Sequence, residues 1–271
     1  MNQARTDTEV LGPDEAHVWY AWVEACRIQG RLEGYYTLLN ADERSRFERL
    51  ASARLRDEFL VTRALCRTTL SRYVGIDARE WRFESNRFGR PEIAGGAPPF
   101  RFNLSNARSV VACVVTCSAD AGVDVEELSR GSDLLAIADH QFAACERAAL
   151  SALPMSERRR RAVSLWTLKE AYLKARGVGL SISLDEFAFM LDGSPPRVRF
   201  RAAGDDVAAS WQFELNALSS THIMALAIRH DGRGGIRVRH RTTIPSVERK
   251  ESSQSEATSA APGRLLAFDF F

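Results

Sequence analysis

Trp166-Thr167-Leu168-Lys169-Glu170-Ala171-Tyr172-Leu173-Lys174, read with Gly122-Val123-Asp124-Val125-Glu126 upstream, decides how this chain folds and where its chemistry lies. The upstream piece alternates apolar and acidic residues at the strand period, so Val123 and Val125 face one way and Asp124 and Glu126 the other. Same-face neighbours on a strand are about 6.6 Å apart, twice the rise of about 3.3 Å per residue, within reach of one divalent cation. The downstream piece has the helical period: Trp166, Glu170 and Lys174 are four apart with Leu173 beside them, so a third carboxylate and an ammonium project from one face. Each piece alone has an ordinary reading, as an exposed ion pair contributing about 0.3–0.5 kcal/mol and as a solvated sheet face.

Together the two motifs resemble the 4′-phosphopantetheinyl transferase family in its Sfp-type monomeric branch. The family pattern is Gly-(Val/Ile)-Asp-(Val/Ile)-Glu followed by Trp-x-x-Lys-Glu-(Ala/Ser)-x-x-Lys, and both are complete here. Phe88-Gly89-Arg90-Pro91 and Phe102-Asn103-Leu104-Ser105-Asn106 match further family segments in the right order, and the resemblance runs from roughly residue 40 to residue 190. It implies an α+β fold of two similar lobes related by a pseudo-twofold axis. It also implies transfer of 4′-phosphopantetheine from coenzyme A to a serine of an apo carrier protein (acyl, polyketide or peptidyl), with adenosine 3′,5′-bisphosphate leaving.

Displacement at phosphorus needs charge neutralisation and in-line positioning more than covalent help. In that reading Asp124, Glu126 and Glu170 are hard oxygen ligands suited to Mg²⁺. Glu170 is also the candidate general base, a duty that competes with ligation, and Lys174 sets a positive charge against the leaving group. The resemblance assigns coenzyme A phosphates to Arg90 at the Gly-Arg-Pro turn, to Arg46, Arg63 and Arg67 in the preceding helical segment, and to Lys169; arginine suits phosphate oxygens bidentately. Ser105 and Asn106 are expected at the nucleotide end. The family often carries histidine at the latter position, and asparagine donates a hydrogen bond there without a charge. The nucleophile belongs to the carrier: His17, His140, His222, His230 and His240 form no Ser-His-Asp or His-Glu-x-x-His spacing.

A formal net charge of +2 over 271 residues is far from the balance of a dedicated nucleic-acid binder. The run Arg158–Arg161 has no accompanying aromatic stacking pattern and reads as the solvated start of a helix. Five cysteines (Cys26, Cys66, Cys113, Cys117, Cys145), odd in number and without a Cys-x-x-Cys, read as reduced thiols of a cytoplasmic protein. Residues 1–15 lack the apolar core of a signal peptide, and the longest apolar run, around Val110 to Cys117, is too short to span a bilayer.

The expected organisation is an irregular leader (1–15), an N-terminal lobe (16–117), a C-terminal lobe carrying both motifs (118–232) and a disordered tail (233–271). In the first lobe the pattern predicts a strand over His17–Glu24, a helix capped by Asn40 or Asp42, a helix over Ala53–Val74 closed by Gly75, and strands over Glu80–Glu84, Arg101–Leu104 and Val110–Cys117. In the second, Ser118–Gly122 reads as a hairpin turn joining Val110–Cys117 to the acidic strand. One helix is expected over Leu134–Leu153 and another from Ser156 to Gly177, with strands at Phe187–Leu191, Arg197–Arg201, Trp211–Leu215 and Ile223–Ile228 completing a second sheet. Two rival functions are weaker. A nucleotide-dependent phosphotransferase lacks a Gly-x-x-x-x-Gly-Lys-(Ser/Thr) loop, and a catalytically inactive carrier-binding module would not need all three acids intact.

Overall fold

Strand alternation sorts the apolar side chains of this protein into stacked layers. The structure is a computed structural model that describes residues 9–247 except 97, 202–206, 231 and 233. Strand β1 (Glu15–Trp22) leads into helices α1 (Val23–Ile28), α2 (Leu32–Tyr36), α3 (Ala41–Arg49) and α4 (Ala53–Val74), then strands β2 (Phe83–Ser85), β3 (Pro91–Ile93), β4 (Arg101–Ala107) and β5 (Val110–Thr116). The chain continues through β6 (Ala121–Glu127), α5 (Gly131–Gln141), α6 (Ala144–Ser151), α7 (Met155–Arg176), β7 (Phe187–Met190), β8 (Arg197–Phe200), β9 (Trp211–Ala217), β10 (His222–Arg229) and β11 (Arg237–Thr242). One sheet has the order β11-β1-β5-β4 and a second the order β6-β10-β9, with β2-β3 and β7-β8 as separate ribbons.

Every residue of β5 is buried, because both its faces are covered. Val111, Cys113 and Val115 pack with Val61, Leu65 and Leu70 of α4. Val110, Ala112 and Val114 pack with Val123 and Val125 of β6 and Met224 and Leu226 of β10. The far side of the second sheet, through Phe213, Ala225 and Ala227, meets Leu168, Ala171 and Ala175 of α7. The layers therefore run α4, first sheet, second sheet, α7, an α+β arrangement with helices outermost. Local signals hold the helix ends. Asn40 and Glu43 form a reciprocal capping box on α3, the Ser52 hydroxyl accepts from Leu55 N on α4, and Gly75 and Gly177 take the left-handed conformation that stops α4 and α7.

The structure departs from the sequence expectation at several places. Strands β5 and β6 are not hairpin partners: both edges of β5 are taken by β1 and β4, so Ser118–Gly122 carries the chain from one sheet to the other. The single helix expected over Leu134–Leu153 is two, because Phe142 turns extended and buries its ring in the α7 core. Strands β7 and β8 form their own ribbon rather than extending the second sheet.

The largest correction concerns the tail. Residues 237–242 form β11, which pairs in parallel with β1 from Glu15↔Arg237 to Tyr20↔Thr242. The Glu15 carboxylate accepts from Arg237 (3.1 Å) and Arg239 (2.8 Å), and Arg241 pairs with Glu9, which itself falls in the expected leader. Beyond the strand, Pro245 O accepts from the Tyr35 hydroxyl at 2.8 Å, and Ile244 and Val247 pack against the α4 core. The alternating arginines of this stretch are the outward side of an edge strand, where charge is favoured. Residues 1–8 and 248–271 lie outside the described residues. Among the described residues no helix is long and apolar enough to cross a membrane.

Candidate active site

The acidic strand is an edge strand of the second sheet and lies against β4, an edge strand of the first. Val123 N and Val125 N donate to side chains of β4, Asn103 Oδ1 at 3.0 Å and Ser105 Oγ at 3.2 Å. On its other side β6 crosses α7 so closely that a Cβ on Gly122 would lie 2.1 Å from Ala171 O and 2.4 Å from Ala175 N. Only glycine permits that approach. It lays Asp124 and Glu126 along the Trp166–Glu170–Lys174 face of α7, and these acids line a cleft of about 980 Å³.

Within the cleft the charges are already interlocked. Lys174 Nζ donates to Asp124 Oδ1 at 2.8 Å and to Ser105 Oγ at 3.0 Å, and the serine hydroxyl donates to the same Asp124 oxygen at 2.9 Å. Asp124 Oδ2 is buried with no hydrogen-bond partner. Glu126 Oε1 accepts from Trp166 Nε1 at 2.9 Å and from Arg130 at 2.5 Å. Burial, reinforced by the Asp124 and Glu126 charges and opposed by Lys174, pushes the Glu170 carboxyl up to about 7. Burial and then Asp124 also raise Glu126, with Arg130 opposing. The result is a carboxyl poised to exchange a proton near neutrality, beside an ammonium and an acid with an unused oxygen.

Residues 120–227, which contain β6, α7 and the motifs on both, match the family model described as the 4′-phosphopantetheinyl transferase superfamily. Over this stretch the chain is similar to that superfamily. It is 29% identical to the 4′-phosphopantetheinyl transferase HetI of Nostoc sp. over 185 residues, covering 68% of this chain and 77% of the relative. Identity is also 29% to the 4′-phosphopantetheinyl transferase Sfp of Bacillus subtilis, over 59% of this chain and 69% of the relative. Among solved structures, a holo-(acyl-carrier-protein) synthase from Bacillus anthracis in complex with coenzyme A (3′,5′-ADP) aligns at 20% identity with a TM-score of 0.35, covering 41% of this chain and 94% of that one.

Not every residue that the resemblance suggested reaches the cleft. Asp124, Glu126, Glu170, Lys174, Arg90, Ser105 and Asn106 line it. Lys169 does not: it is fully buried, with Nζ on Glu146 Oε2 (2.8 Å), Leu184 O (2.7 Å) and Phe187 O (2.6 Å). On a helix it is turned about 100° from Glu170, onto the face that meets α6 and β7. Arg67 is likewise removed from phosphate binding, since its buried guanidinium donates to Trp81 O (2.7 Å) and Glu43 (2.8 Å). Arg63 pairs with Glu43 and lies over the Phe59 ring, Arg46 lies over the same ring, and neither lines the cleft.

Two of the cleft residues carry duties that spacing did not reveal. The Ser105 hydroxyl has one donor and two acceptor sites, all filled by Asp124, Lys174 and Val125, so it orients the acid rather than offering a hydrogen bond to a ligand. Arg90 packs on Gly177, where a Cβ would lie 2.7 Å from its guanidinium carbon, and donates to Ala175 O (3.2 Å) and Glu92 (2.9 Å). With Asn86 Nδ2 on Gly177 O at 3.1 Å, it clasps the C-terminal end of α7, where a cation complements the helix dipole. Trp166 is part core and part hydrogen-bond donor to Glu126. Arg87, Arg108 and Arg130 also line the cleft and had not been singled out. Spacing gave no signal for Arg130, which meets Glu126 only because the chain turns directly after β6.

Proposed function

We propose that this protein transfers the 4′-phosphopantetheine group of coenzyme A to a serine hydroxyl of an apo carrier protein, releasing adenosine 3′,5′-bisphosphate. The observation that carries the reading is the convergence of Asp124, Glu126, Glu170 and Lys174 from β6 and α7 in one cleft, in a chain similar to this superfamily. In the transfer a bond forms between the serine oxygen and the pantetheine-side phosphorus while the bridging phosphorus–oxygen bond breaks. Glu170, held near neutrality, takes the serine proton. Lys174 holds Asp124 and Ser105 in register and sets its charge where the leaving bisphosphate gains negative charge.

Mg²⁺ fits the acids of this cleft. The donor set is hard carboxylate oxygen, one buried Asp124 oxygen lacks a partner, and Glu126 and Glu170 are both raised by burial and neighbouring negative charge that a cation would offset. Asp124, Glu126 and Glu170 would hold it, and it would neutralise charge on the pyrophosphate. Lys174 and Arg130 each hold one oxygen, Asp124 Oδ1 and Glu126 Oε1, and leave the second oxygen of each acid to a cation.

The test is an intact-mass measurement on a panel of apo acyl, peptidyl and polyketide carriers incubated with the protein, coenzyme A and Mg²⁺. Addition of one phosphopantetheine to the carrier is the expected result. Unchanged mass on every carrier, with a folded protein, refutes the reading.

A further inference from the structure

The cations of the cleft divide into those already committed and one that is not. Lys174 is held by Asp124, Arg130 by Glu126, and Arg90 by Glu92 and Ala175 O, while Arg87 lies over the Phe88 ring at 4.6 Å. Arg108 is exposed on the cleft wall, and its guanidinium has no acceptor among the described residues.

Its backbone, in contrast, is fixed from several sides. His222 Nε2 lies 2.7 Å from Arg108 O, and since a carbonyl only accepts, this nitrogen carries the ring proton. Nδ1 then accepts from Thr221 Oγ1 at 3.0 Å, and the buried ring stands edge-on to Trp22 at 5.4 Å. The next residue, Ser109, adopts φ 73°, its N–H reaches the buried Glu58 carboxylate at 3.4 Å, and its carbonyl accepts from Val23 N at 2.9 Å. Thus a histidine of the second sheet anchors a turn of the first, and that turn presents an uncommitted guanidinium to the cleft. A fixed backbone behind an unpaired charge is the arrangement of a prepared anion site.

The position selects which anion. Arg108 is three residues beyond Ser105, about 10 Å along the strand from the Asp124–Lys174 centre. It lies in the turn that follows β4, exposed like the uncharged Asn106 on the other side of the buried Ala107. A phosphate other than the one reacting at Lys174 is therefore its candidate ligand.

We propose that Arg108, oriented by His222 as a positioning residue, binds the ribose-borne phosphomonoester of coenzyme A; this rests on the coenzyme A reading above. The charge absent at position 106 is thereby supplied two residues further on.

The experiment is calorimetric titration of the full chain with coenzyme A and with dephospho-coenzyme A, for the parent, Arg108→Ala, His222→Ala, His222→Gln and the Arg108→Ala/His222→Ala double variant. Arg108→Ala is expected to weaken coenzyme A binding about tenfold or more, the usual size of a lost charge-assisted contact, with dephospho-coenzyme A little affected. His222→Ala is expected to move only coenzyme A, by a smaller factor, and to add nothing once Arg108 is gone. His222→Gln, whose amide can still donate to Arg108 O, should recover parent affinity; a merely structural histidine would shift both ligands alike. Equal losses for the two ligands, or no loss on Arg108→Ala, overturn the proposal. If the parent binds coenzyme A but leaves carrier mass unchanged, the transfer reading fails while the affinity comparison still decides Arg108. If the parent binds no coenzyme A, both are overturned.

Discussion

Gly122→Ala is the sharpest test of how this fold makes its site. The added methyl would sit 2.1 Å from Ala171 O and 2.4 Å from Ala175 N, both backbone atoms inside α7 that no rotamer change can move. Ordinary contact begins near 3.4 Å, so strand and helix must separate by about 1.3 Å to admit it. Overpacking of this kind costs about 1–3 kcal/mol. The catalytic cost is larger, because β6 carries Asp124 and Glu126 and α7 carries Glu170 and Lys174, and the 2.8 Å Lys174–Asp124 contact cannot survive such a shift. A displacement near 1 Å corresponds to roughly a 100-fold loss of rate. The assay is turnover of an apo carrier at a temperature where urea denaturation shows the variant folded. Gly34→Ala, whose methyl meets nothing within 4 Å, serves as the control for a neutral addition. Parent turnover and an unchanged denaturation midpoint in Gly122→Ala would show that the strand–helix approach does not set the site.

Glu170→Gln should lose turnover, and in chelator it should also gain stability in a pH-dependent way. The raised carboxyl stabilises the fold fully below its unfolded value of 4.5 and loses that contribution as pH climbs through about 7, whereas glutamine does not titrate. The variant's advantage in urea midpoints should therefore grow across that window toward something on the order of 3 kcal/mol, and a flat difference would sink the assignment. Lys169→Met strands the buried Glu146 carboxylate and should cost about 3–5 kcal/mol, with Lys169→Met/Glu146→Gln recovering part of it. Equal stability of the single and double variants would remove the pair from the core's accounting. Truncation after Gly235 removes β11 with Ile244 and Val247 and should lower stability by at least about 2 kcal/mol. A full-strength melt in the shorter protein would mean that β11 is dispensable.

What could be read from sequence was whatever a local period or a local cap encodes. Helices α4 and α7 were legible because their apolar spacing and their terminal glycines agree. The acids were legible because strand and helix periods each put them on one face, and the structure brings those faces together. The failures share a cause: each depended on a partner distant in sequence. Lys169 and Arg67 carry the same charge as Lys174 and Arg90, and Glu146, 23 residues earlier in the chain, and Glu43, 24 residues earlier, pair with them in the core. Strand β11 lacks an apolar stripe because it is an edge strand held by Glu15, more than two hundred residues away. The expected β5–β6 hairpin failed because its turn was legible while the occupancy of the β5 edges was not.

The Asn-Leu-Ser segment shows how one short strand can serve two ends. Leu104 faces the α4 core, while Asn103 and Ser105 turn the other way and satisfy the N–H groups of Val123 and Val125. An unsatisfied buried donor costs about 1–3 kcal/mol, so these side chains stand in for a strand ladder between the sheets. Ser105 then uses its remaining valences on Asp124 and Lys174. The group that joins the halves is thus the group that orients the acid. Any shift of the first sheet against the second must pass through Ser105 to the Asp124–Lys174 pair, which binds the fidelity of the site to the stability of the joint rather than to either sheet alone.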